Sequence, residues 1–120
     1  MACMDCDLWA AKLVGAQALL SVATTDRDQK LIASDKAETD ATEAGHAEQT
    51  ALIHWQDAPD KEKDYYKQKY DEALSVRHTA DDLYGDALAA YRRAADEYTA
   101  IRSQVDDLEF MLNAHQCPTP

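Results

Sequence analysis

Four side chains capable of chemistry lie at the two ends of this sequence. Cys3 and Cys6 form a C-x-x-C, and His115 and Cys117 form an H-x-C. Three thiolates and an imidazole are a normal tetrahedral zinc set, with C-x-x-C as the usual chelating half. Four protein ligands leave no open position, so such a zinc would be structural, its binding energy acting as folding energy. The H-x-C spacing is tighter than the usual second half. The same residues also suit a disulfide from Cys3 or Cys6 to Cys117, or no bond at all. A thioredoxin-like redox role lacks its βαβ context.

A second cluster lies near the middle. Between Ala37 and Asp60 there is no Lys or Arg, while Glu38, Asp40, Glu43, Glu48, Asp57 and Asp60 carry negative charge beside His46, His54 and Trp55. A tryptophan exposed among acids is a protein-binding anchor. Trp55, Glu38, Asp40, Glu43, Glu48 and Asp57 are therefore the candidate partner-binding set. The plainer reading of Trp55 is a hydrophobic plug against Tyr65 or Tyr66. His46 and His54 share a face but have no third ligand. No nucleophile–base arrangement, phosphate loop or H-E-x-x-H occurs, so catalysis is not expected.

The elements that must position these groups are helices. Three Gly, three Pro and one Phe in 120 residues leave little punctuation, and helix formers dominate. β-branched residues never alternate, so strands find no support. The one proline outside the C-terminal tail is Pro59, which pushes Ala58 out of the α region and suits the first position of a new helix. Asp60, Glu62 and Asp64 then favour the start of that helix. The spacing predicts one all-α domain over 1–120: an arm over 6–56, a turn at 57–59, an arm over 60–113 and a tail over 114–120. Such arms fold back as a long antiparallel, coiled-coil-like hairpin that brings the terminal Cys and His residues to one end.

The second arm carries a sustained heptad: Tyr66, Tyr70, Ala73, Arg77, Ala80, Tyr84, Ala87, Tyr91, Ala94, Tyr98, Ile101, Val105, Leu108 and Leu112. Its tyrosines read as core. The first arm answers with Ala33, Ala37, Ala41, Ala44, Ala47 and Ala51. A turn centred near residue 58 sets Tyr66 by Ala51, Tyr70 by Ala47, Tyr84 by Ala33 and Leu13 by Val105, large against small. Thr25 or Asp26 can cap a fresh helix, so a first arm broken near 24–28, giving three helices, is the alternative fold. Val76, Leu83, Leu88, Leu31 and Ile32 widen the apolar face beyond what a two-stranded seam needs, which points to self-association.

With 12 basic and 23 acidic residues the net charge is −11. Such a chain repels nucleic acid and anionic membranes and meets basic or apolar protein surfaces. The most apolar stretch, Leu8 to Ala23, is interrupted by Lys12, Gln17 and Ser21 and falls short of the ~20 residues a bilayer needs. Asp5 and Asp7 are the reverse of a signal n-region. The expected location is the cytoplasm. The expected function is a non-enzymatic interaction or structural protein, self-associating or docked on a larger bacterial or phage assembly. The alternative is a small acidic inhibitor that mimics nucleic acid in a basic groove.

Overall fold

The computed structural model describes residues 4–117. It is all-α, a long antiparallel helical hairpin of α1 (Met4–Asp57) and α2 (Lys63–Ala114). Asp5 and Asp7 lie in the first turn of α1 and His54 in its last, each matching the sign of the helix dipole.

α1 is unbroken through 24–28, which corrects the three-helix alternative. Thr24 Oγ1 donates to Leu20 O at 2.7 Å and Thr25 Oγ1 to Ser21 O at 3.2 Å. Both hydroxyls thus bond back to the preceding turn, where a cap would bond forward to the next one. Arg27, a charge in the seam, lies 4.0 Å from the centroid of the Tyr98 ring and bonds Asp28 at 3.3 Å.

The bend is longer than expected. Pro59 stands as an extended cap (φ −62°, ψ 153°), not as a helical residue, and Asp60–Glu62 make a 3₁₀ turn before α2 begins at Lys63. Lys63 Nζ donates to the carbonyls of Trp55 (3.1 Å) and Gln56 (3.0 Å). These are end carbonyls of α1 with no intrahelical partner, and a lysine is a natural cap for them.

The chain divides into two compact units, one drawn from Met1–Lys30 with Tyr91–Pro120 and one from Leu31–Ala90. In the terminal unit the core is Leu13, Ala16, Val105 and Leu112, flanked by Trp9, Leu20, Leu108 and Cys117. Val105 is only 2% exposed, and its burial is worth about 1.5–3 kcal/mol. In the bend unit, Tyr66, Tyr70, Ala73, Ala80, Tyr84 and Ala87 of α2 are half-buried as the heptad predicts, and Arg77 is exposed.

The partner line on α1 is the expected one at Ala37, Ala41, Ala44 and Ala51 and departs from it at two places. Ser34, Ala44 and Glu48 are buried with Ala37, Ala41 and Ala51 half-buried, whereas Ala33 and Ala47 are exposed. Tyr70 sits between Glu48 and Trp55 instead of against Ala47. Leu13 and Val105 share one core cluster as expected, whereas in the bend unit the register is off by about one helical turn, because the 3₁₀ turn moves the centre of the bend along the chain.

Candidate functional site

At the termini, the fold places Cys117 by a Schellman ending of α2. Gln116 adopts φ 52°, its N–H donates to Asn113 O at 3.1 Å, and the Cys117 N–H donates to Leu112 O at 2.9 Å. The motif turns the chain back over its last turn, and Cys117 packs on the core beside Leu112. Cys6, on the inward line of α1, meets it in a disulfide with Cα atoms 5.6 Å apart. One turn along α1 the Trp9 ring stacks at a tilt on His115, centroids 4.7 Å apart.

Of the readings of Cys6 and Cys117, this geometry has the disulfide. Disulfide sulfurs are not thiolates, so the zinc set Cys3, Cys6, His115 and Cys117 is not assembled in this state. Cys3 lies outside the described residues. Among the described residues, no cluster of three His, Cys, Asp or Glu side chains can hold a metal ion.

At the bend, Trp55 stacks on Tyr70 (5.4 Å, 28°) and is half-buried, while Tyr65 and Tyr66 pack edge-on against each other. Trp55 is thus a plug, though against Tyr70 and not the two tyrosines expected. Glu48 separates from the other acids of its set. It is buried, accepts from the Tyr70 hydroxyl at 3.5 Å and pairs with Arg77, which also reaches Asp81 at 3.6 Å. The hydrogen bond that Arg77 donates to the Glu48 carboxylate holds its guanidinium above its ordinary pKa. Glu38, Asp40, Glu43 and Asp57 are exposed, and Asp40 pairs with Lys36 at 3.6 Å.

The feature that sequence reasoning passed over is a strip on α1. Leu8, Leu19 and Val22 are exposed on one face, Val14 is exposed on another, and Val76, Leu83, Leu31 and Ile32 of the wider apolar face are exposed as well. From Leu8 to Thr25 the only charge is Lys12. The signal was available as a gap in the acids, none of which falls between Asp7 and Asp26. By length and composition α1 contains a window apolar enough to cross a membrane. Yet α2 runs beside it with Arg102, Asp106, Asp107 and Glu109, and the arginine and aspartates would each cost roughly 2.5–3.5 kcal/mol at a bilayer centre.

No protein family, curated protein or solved structure matches this chain.

Proposed function

We propose that this chain is a non-enzymatic interaction protein, an acidic helical hairpin closed by a disulfide, that binds a protein surface through apolar side chains its own fold leaves uncovered. The observation that supports this is the run from Leu8 to Thr25, with Leu8, Leu19 and Val22 exposed on one face and Lys12 its only charge. Single exposed apolar residues are ordinary, whereas a contiguous patch marks an interaction site. A structural or accessory role in a larger bacterial or phage assembly, or in a homo-oligomer, uses such a patch. The Cys6–Cys117 bond supports a working location in an oxidising compartment over the cytoplasm expected from sequence.

A second reading, mimicry of nucleic acid, draws on Glu38, Glu43 and Asp57, which stand exposed in a stretch without bases. Against it stand Lys61, Lys67 and Lys69 just beyond the bend. Zinc at Cys3, Cys6, His115 and Cys117 belongs only to the reduced chain, and metal analysis of reduced protein tests it.

The test is capture of tagged protein from its native cells at ~0.1 M and ~1 M salt, between which the Debye length falls from about 10 to 3 Å. A protein or assembly retained at both salts, and lost with Leu19→Asp, supports the interaction reading. Retention at low salt only, lost on reversal of Glu38, Asp40 and Glu43, supports the mimic and sinks the interaction reading.

A further inference from the structure

We propose that a second copy of this chain docks antiparallel on the α1 strip Leu8, Lys12, Gly15, Leu19, Val22 and Asp26, with Leu19 of each copy seated over Gly15 of the other. This rests on the interaction reading above and names its partner.

The six residues recur at spacings of four and three, so they form one line along α1, beside the line that packs on α2. Leu8, Leu19 and Val22 on it are all more than half exposed. Copies of a chain carrying −11 repel each other, and on this line of α1, from Leu8, no acid precedes Asp26. The strip itself has a polarity: Lys12 lies toward one end and Asp26 closes the other. Neither is in an ion pair among the described residues. A parallel pair would set Lys12 by Lys12 and Asp26 by Asp26. An antiparallel two-fold sets opposite charges near each other at both ends.

The steric fit selects the same alignment. Layering the strip against itself antiparallel puts Leu19 opposite Gly15, Lys12 opposite Val22 and Leu8 opposite Asp26, each contact occurring twice by symmetry. A Cβ added at Gly15 would meet nothing within 4 Å, and Gly15 opens on a groove of about 480 Å³ whose floor is Ala16, Leu19 and Leu108 and whose rim is Lys12, Gln104 and Asp107. A leucine fills such a hole. The Lys12 stem lies along Val22 of the other copy and carries its ammonium one turn on to Asp26.

Sedimentation equilibrium of the full oxidised chain tests this, with circular dichroism and Tm confirming the fold of each variant. The wild type is expected to dimerise. Gly15→Leu, whose Cβ meets nothing within 4 Å in its own chain, is expected to weaken the dimer by at least about thirtyfold. Lys12→Asp and Asp26→Lys are each expected to weaken it roughly tenfold, and the double variant to restore it. A wild type still monomeric at about 0.1 mM overturns the proposal, as does a dimer indifferent to Gly15→Leu or a double variant that fails to restore it. Insertion of the monomer into phosphatidylcholine vesicles overturns it in favour of a bilayer. A monomer that nonetheless captures a different protein through Leu19 overturns the dimer and leaves the interaction reading standing.

Discussion

Cys117 reaches Cys6 across 111 residues of sequence from the position directly after Gln116, whose φ of 52° reverses the chain at the end of α2. The covalent closure of the hairpin thus depends on a left-handed residue. A straight continuation of α2 would carry Cys117 onward along the helix axis, away from the inward face of α1 where Cys6 lies.

Removing the bond is expected to lower stability substantially. In the chain-entropy account, closing a loop of about 100 residues contributes about 4.7 kcal/mol, an upper figure for Cys6→Ser or Cys117→Ser. Thermal unfolding with and without reductant measures it. Peptide mapping under non-reducing conditions checks the partner: a Cys3–Cys117 peptide in place of Cys6–Cys117 would refute the pairing.

Gln116→Gly is expected to stabilise the chain by about 0.5–1 kcal/mol. A side chain in the left-handed region costs about 1–2 kcal/mol, part of which the added freedom of glycine in the unfolded chain offsets. Denaturant titration reads the difference. A loss of stability would mean that Gln116 does not adopt this conformation in solution.

Thr25→Ala gives a sign that separates one helix from two. Thr25 is exposed in the interior of α1, so alanine is expected to raise stability by about 0.5 kcal/mol through helix propensity. A threonine capping a separate helix would instead lose about 1 kcal/mol on the same change. Tm of the two proteins side by side settles the direction.

The heptad of α2 was legible in sequence because a seam of Tyr, Ile, Val and Leu is a local pattern of large residues. Its partner line was legible at Ala37, Ala41, Ala44 and Ala51 but not at Ala33 and Ala47, whose places on the inward face go to neighbouring residues. The line actually buried contains Ser34 and Glu48, which no local rule would place inside. Glu48 is tolerated there because Arg77, the one break in the α2 heptad, comes across from the other helix to meet it. That satisfaction is non-local, and so is the register, which hung on whether residues 60–62 would form α-helix or a 3₁₀ turn. The meeting of the terminal cysteines at one end followed from a hairpin of equal arms. Which two would bond depended on the face Cys6 occupies and on the turn at Gln116, neither of which spacing reveals.

Arg77→Ala is expected to lower Tm more than the double variant Glu48→Leu with Arg77→Ala. The Glu48 side chain is 11% exposed, so losing Arg77 leaves a nearly buried carboxylate with only the distant Tyr70 hydroxyl for company. Replacing the carboxylate by a leucine of similar volume removes the unpaired charge and adds apolar contact in the seam, an exchange that is often neutral or stabilising. The recovery from single to double variant is therefore the quantity to measure, by thermal unfolding at neutral pH. A double variant less stable than Arg77→Ala alone would mean that the Glu48 carboxylate is solvated without its partner and that the pair does not hold the two helices in register.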